Sequence, residues 1–275
     1  MSDLIYDVGL HAGEDSLFYL LKGFRVVAVD ANPAMCRLAG DRLARFVRTG
    51  QLRIVNAAIA DRPGRLTFFE NAKSDWSTLV REWDEQNAAR GSRSREVTVE
   101  AITLADLVAE HGDAYYMKID IEGMDRCALE TLATVAVRPK YVSLESAFPR
   151  DPSFDGVKAE FDTLAHLGYD RFKIVAQHRV EEQLPPNPAA AGEYVPYKFD
   201  AGSSGLFGEE APGDWMDLAS ALEAFRAIIR DDWPLTLLHR RMALYVRYCG
   251  LVERFTGKAP DLGWYDIHAR HSSVD

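Results

Sequence analysis

"YDVGLHAGEDSLFYLLKGFRVVAVDANP" (residues 6–33) decides the fold. An apolar run ends in Asp7-Val8-Gly9, a short turn reaches Gly13, and a helix-like stretch carries the chain to Gly23. A second apolar run, rich in valine, ends at Asp30. Pro33 then stands at the start of the next helix, where its missing N–H is no loss. Strands separated by helices make a parallel sheet with helices on both faces. Such strands are buried on both sides, so their apolar runs are continuous rather than alternating.

Working outward, strands are expected over residues 4–10, 24–31, 51–60, 96–102, 114–123, 140–148 and 171–178, the last being the final clear strand. Helices are expected over 14–22, 33–48, 103–112, 124–136 and 157–167. Residues 65–70 can pair back as an antiparallel hairpin after the Asp-Arg-Pro-Gly turn, and 75–89 fit either a helix or an ordered loop. The pattern gives an α/β fold with a mostly parallel central sheet.

Residues 180–215 change character, with five prolines and five glycines, and a connector that long and irregular reads as functional. Helices follow over 216–232 and 235–254, with Leu218, Leu222, Phe225, Ile229, Leu237, Leu238 and Leu244 available to cover the sheet or to form a homodimer face. Residues 263–271 read as a docked aromatic tail. Residues 1–178 are therefore expected to form a cofactor-binding core, with 179–275 a loop-rich segment and helical extension packed on it.

The formal net charge of −10 repels phosphate backbones and argues against nucleic acid as a partner. The basic run at residues 90–95 is then a solvated loop. Three distant cysteines with no CxxC pair suggest neither a zinc site nor a disulfide framework, but reduced thiols in a cytoplasmic protein. There is no leader pattern and no apolar run near the roughly 20 residues that span a bilayer, so no membrane partner is expected.

In an open parallel sheet, ligands bind beyond the carboxyl ends of the strands. Gly9 and Gly13 permit close approach or positive φ at the first such end. Asp30, at the second, can accept both hydroxyls of a ribose, so the ligand is of adenosine type. The dinucleotide fingerprint is G-x-G-x-x-G. Here Asp7 stands two before Gly9. A carboxylate there would repel a pyrophosphate and would suit an ammonium or sulfonium. S-adenosylmethionine is favoured on that ground. An NAD-linked oxidoreductase and a non-catalytic cofactor-binding protein stand as alternatives.

Asp120 and Glu122, two apart at a strand end, point to the same side, and Glu145 ends the next strand. Three close carboxylates can provide a general base of raised pKa, or can hold Mg²⁺ against a substrate with two adjacent oxygens. The base is favoured, and no residue is assigned to a metal. His178, beside Gln177 at another strand end, is an alternative base. For His268 and His271, packing of the tail outweighs a metal pair. Ser203 and Ser204 lie in a segment that reads as a lid over the substrate or as a surface excursion.

The opening stretch and "YMKIDIEGMD" (residues 116–125) resemble the FkbM-type methyltransferases, the Lys-Ile-Asp-Ile-Glu-Gly strand end being the more specific signature. The likeness covers residues 4–175, and "GSSGLFGEE" (202–210) and "GWYDIHAR" (263–270) resemble the C-terminal extensions of one branch. The resemblance implies a Rossmann-like class I methyltransferase sandwich with S-adenosylmethionine as methyl donor. It implies O-methylation of a hydroxyl on a small polar molecule, sugar or natural product. It also implies cofactor contacts from Asp7, Gly9, Gly13, Asp30, Asn32 and Asp120, with Ala58 and Ile59 flanking the adenine. Trp76 and Ser77 fall where the family has a small polar cluster near the cofactor. Leu10-His11 departs from the family's common Asn or Ala-Asn, which puts His11 in the cofactor turn, either as a contact or as a helix-start histidine.

Overall fold

The computed structural model describes residues 2–72, 76–148, 153–239, 242–256 and 263–272. β1 (Leu4–Val8), α1 (Glu14–Leu21), β2 (Arg25–Asp30), α2 (Pro33–Arg42), α3 (Ala44–Thr49) and β3 (Leu52–Asn56) form the first half. β4 (Ala58–Ile59), β5 (Gly64–Asn71), α4 (Arg81–Ala89) and β6 (Ser94–Ile102) follow, then α5 (Leu104–His111), β7 (Tyr116–Ile119), α6 (Asp125–Glu130), β8 (Tyr141–Glu145), α7 (Phe154–His166) and β9 (Arg171–Ala176). The chain ends in α8 (Leu218–His239), α9 (Met242–Thr256) and β10 (Tyr265–Arg270).

Seven strands form one sheet in the order β3-β2-β1-β7-β8-β10-β9, parallel throughout except for β10. Strand order reverses between β1 and β7, which sets the ligand crevice at their carboxyl ends. This is the mostly parallel sheet with helices on both faces that the sequence leads one to expect. Several of the expected elements differ. The helix expected over 33–48 breaks at Leu43 into α2 and α3, and the one expected over 216–232 runs on to His239 as α8. The run over 51–60 splits at Ala57, with β3 in the main sheet and β4 in a second, three-stranded sheet. β5 pairs antiparallel with β6 rather than back onto the third strand. The strand at 171–178 is not the last, because the tail enters the sheet as β10, antiparallel between β8 and β9.

Both faces are covered. Val8, Met117, Ile119 and Leu144 pack on one side with Leu107, Phe161 and Phe225 of α5, α7 and α8. The other side carries α1 and α2, and an aromatic layer in which Phe207 stacks on Tyr116 at 4.8 Å and meets Tyr19 edge-on at 5.1 Å. The segment around Phe207 is therefore core, and burying one such ring contributes about 1.5–3 kcal/mol. Of the extension's apolar positions, Phe225 and Ile229 are buried while Leu244 of α9 is exposed, and the side chains of Leu237 and Leu238 lie outside the described residues. Among the described residues no helix is long and apolar enough to cross a membrane.

Candidate active site

The turn after β1 is built by backbone constraint. Gly9 sits at φ 96°, its N–H and that of Leu10 both donate to the Val29 carbonyl, and a Cβ on Gly9 would lie 1.8 Å from the Asp120 carbonyl oxygen. Only glycine allows β1 and β7 to approach so closely there. His11 (φ 49°) and Glu122 (φ 53°) are the non-glycine residues of positive φ among those described, and both line one cavity of about 170 Å³ at the crevice. Backbone strain of this kind gathers at functional sites.

Asp30 closes the end of β2. Its two carboxylate oxygens accept the His11 N–H at 2.8 Å and the Asn32 N–H at 2.7 Å, and the remaining lone pairs are available to the cavity. Burial raises its pKa and those two bonds pull it back. Asn32 caps α2 through the Ala34 N–H at 2.9 Å. Met35, Ala58, Ile59, Phe68 and Leu79 supply apolar wall beside it.

Charge concentrates between β1 and β7. The Lys118 ammonium lies 3.5, 3.3 and 3.4 Å from the carboxylates of Asp7, Asp15 and Asp120. Beyond it, carboxylate oxygens of Asp120, Glu122 and Glu145 lie within 4.8 Å of one another. Burial, then the charges of Glu122 and Asp120, hold the Glu145 carboxyl well above its ordinary range. Asp266, its cross-strand partner on β10, is raised by burial and by Asp120. Asp125 accepts the N–H groups of Ile121 and Gly123, both at 3.2 Å, and is pushed up to about 7, chiefly by burial.

Gly9, His11, Asp30, Asn32, Ala58, Ile59, Ser77, Asp120 and Glu122 come together around the cavity, with the Glu145 carboxylate beside them. Asp7 is not brought to it. Its side chain stands under α1, fully buried, with the Ser16 hydroxyl at 2.6 Å. Strand side chains project perpendicular to the sheet, so Asp7, one residue before the end of β1, stays beneath the helix layer. Gly13 is also off the wall: at φ 82° it begins α1, and a Cβ there would meet Leu43 at 2.8 Å. His178 packs against Trp264 and Tyr265, away from the cavity. Trp76 offers its carbonyl to Asn87. His268 is buried within β10, pushed down to about 3 by burial and by Lys173, and His271 packs on Tyr169. Sequence reasoning missed Asp15, Lys118 and Gly202 on the wall. A lysine inside a buried apolar strand was the available signal.

Residues 7–171 match the family model described as the methyltransferase FkbM domain. The chain belongs to that family. The FkbM assignment makes S-adenosylmethionine the methyl donor and removes the NAD-linked alternative. A sequence search of curated proteins gives no match. Solved structures with a related fold include the precorrin-6y C5,15-methyltransferase of Geobacter metallireducens, 14% identical over 63% of this chain and 67% of that one, with a TM-score of 0.35. An O-methyltransferase of Bacillus cereus in complex with SAH is 10% identical over 64% and 67%, with a TM-score of 0.38. A SAM-dependent O-methyltransferase of Thermotoga maritima is 11% identical over 63% and 47%, with a TM-score of 0.35. Likeness at this level carries no inference about this chain.

The residues of the FkbM cavity fit the donor. Asp30 keeps acceptor capacity for ribose hydroxyls, and the apolar wall beside it suits an adenine. More carboxylates than ammoniums face the crevice, which suits a ligand bearing positive charge.

Proposed function

We propose that the protein transfers a methyl group from S-adenosylmethionine to a hydroxyl oxygen of a small polar molecule, sugar or natural product. The observation that carries the oxygen acceptor is the group of three carboxylates, Asp120, Glu122 and Glu145, within 4.8 Å of one another at the crevice. A hydroxyl is a weak nucleophile and gains from a base as the new bond forms. Three close carboxylates do not all ionise together. Burial and the charges of Glu122 and Asp120 favour the protonated form of Glu145, and Glu122 is the group placed to accept the proton of the hydroxyl. Glu122 is held for that role by the Thr78 hydroxyl, which donates to its carbonyl at 2.8 Å.

In this reading Asp30 binds the ribose, Ala58 and Ile59 flank the adenine, Gly9 and His11 form the turn beneath the donor, and Asn32 shapes the rim through its cap. Asp7, Gly13 and His178 stay off the cavity, Asp7 serving as a buried partner of Lys118 and Ser16. When bound, the donor supplies an activated methyl group, and the chain contributes position, exclusion of water and a proton acceptor. Glu122→Gln should lower kcat on hydroxyl acceptors by about 10²–10⁴-fold while S-adenosylhomocysteine binds as in the parent protein. Methylation confined to amine or thiol acceptors across a mixed panel would overturn the oxygen assignment.

The same three carboxylates favour a second reading, in which they hold Mg²⁺ and the ion orients two adjacent acceptor oxygens. Loss of activity in EDTA, restored by Mg²⁺, would support it. Indifference to EDTA would leave the base.

A further inference from the structure

Lys118 is a charged side chain between Met117 and Ile119 in a buried strand, and it is 4% exposed. Besides the three carboxylates, its ammonium donates to the Gly9 carbonyl at 3.1 Å. A buried ammonium needs such partners. The three carboxylates face different ways. Asp7 is enclosed with Ser16, and Asp120 opens toward the cavity. Asp15 turns to a third neighbour: its two oxygens accept the Ser204 backbone N–H at 2.9 and 3.1 Å.

Ser204 lies beyond residue 171, where the family domain ends. Gly202, two residues earlier, is part of the cavity wall. The same strap is fixed on its far side. Gln177 donates to the Ser204 carbonyl at 3.0 Å, Gln183 accepts the Leu206 N–H at 2.8 Å, and Lys22 pairs with Glu210 at 3.0 Å with both side chains buried. These contacts make residues 202–210 a docked wall.

We propose that Asp15 and Lys118 are positioning residues that lock the strap of residues 202–210 onto the donor-binding turn, so that the donor site is complete only with the strap docked. This rests on reading the cavity as the donor site. Burial raises the Asp15 carboxyl and the Lys118 ammonium pulls it back, which favours the form that holds the Ser204 N–H with both oxygens. Without the ammonium, Asp15 faces Asp120 unshielded and its hold on the strap weakens. A change on β7 is thus transmitted to the strap through Asp15.

The test is amide hydrogen exchange on the full chain, with titration of S-adenosylhomocysteine, for the parent protein, Lys118→Met and Asp15→Asn. In both variants, amides of residues 202–210 should exchange about tenfold faster while those of β8, β9 and α7 keep their rates. S-adenosylhomocysteine should bind about tenfold more weakly or worse. In the parent protein the bound compound should slow exchange in the strap. Unchanged protection of the strap in both variants would overturn the proposal, as would a loosened strap with unchanged affinity. Should Lys118→Met fail to fold, Asp15→Asn, which keeps the side chain's shape and one acceptor for Ser204, carries the same comparison. Failure of the parent protein to bind S-adenosylhomocysteine would sink the donor-site reading and this inference with it, whereas normal parental binding with unaltered variants sinks this inference alone.

Discussion

The turn after β1 and the turn after β7 lie side by side at the crevice and use the same backbone device toward opposite ends. Each pairs a strained non-glycine residue, His11 or Glu122, with a glycine of positive φ, Gly9 or Gly123. In the first turn the carboxylate of the strand, Asp7, is hidden under α1, and the N–H groups of Gly9, Leu10 and His11 are held by the Val29 carbonyl and by Asp30 while these three residues line the cavity. In the second, Asp120 and Glu122 face the cavity and Asp125 pins the loop from behind by accepting two N–H groups. One turn shapes a surface for a ligand to rest on. The other holds carboxylates where a reaction can use them.

Substitution of the two glycines breaks this comparison most sharply. A Cβ on Gly9 meets a backbone oxygen at 1.8 Å, which cannot yield without parting β1 from β7. A Cβ on Gly123 meets the Trp83 ring at 2.8 Å, and a side chain can shift. Gly9→Ala should therefore cost more than about 4 kcal/mol or abolish folding. Gly123→Ala should cost about 1–3 kcal/mol and leave a folded protein, as urea titration would reveal. Equal losses would mean that the two turns are constrained alike.

A smaller effect sharpens the same contrast through pH. The Asp125 carboxyl is raised from 3.8 to about 7, so the folded chain holds a proton that the unfolded chain has released between those values. Its contribution to stability is then full below pH 3.8 and is lost as pH rises through about 7. Asp7, raised to about 6 by burial despite Lys118, acts in the same direction over a narrower window. Urea midpoints measured from pH 4 to pH 8 should fall less steeply in Asp125→Asn than in the parent protein. Parallel profiles would deny the buried carboxyl its role behind the second turn.

How far the sequence could be read follows the same division. The parallel half of the sheet was legible because Leu4–Val8, Arg25–Asp30 and Tyr116–Ile119 are apolar runs punctuated by glycine and acid. β10 was not, because its buried positions include Asp266 and His268, 5% and 2% exposed, whose partners come from distant segments such as Gln177. The strap was hidden for a related reason. The proline- and glycine-rich segment that carries it, residues 180–215, reads as a lid or as a surface excursion, yet Phe199, Leu206 and Phe207 are buried against the sheet. Alternation along β1 says which face Asp7 takes, but not that Ser16 and Lys118 would close over it. Asp120, Glu122 and Glu145 were legible as strand-end acids; their mutual approach within 4.8 Å depends on the β7–β8 register.

The central claim is that a donor nucleoside sits in the cavity with its ribose on Asp30. Isothermal titration of S-adenosylhomocysteine into the intact protein and into Asp30→Ala tests it most directly. The account predicts saturable binding to the first and loss of binding in a folded second. Absence of binding to the intact protein, or undiminished affinity in Asp30→Ala, would contradict it.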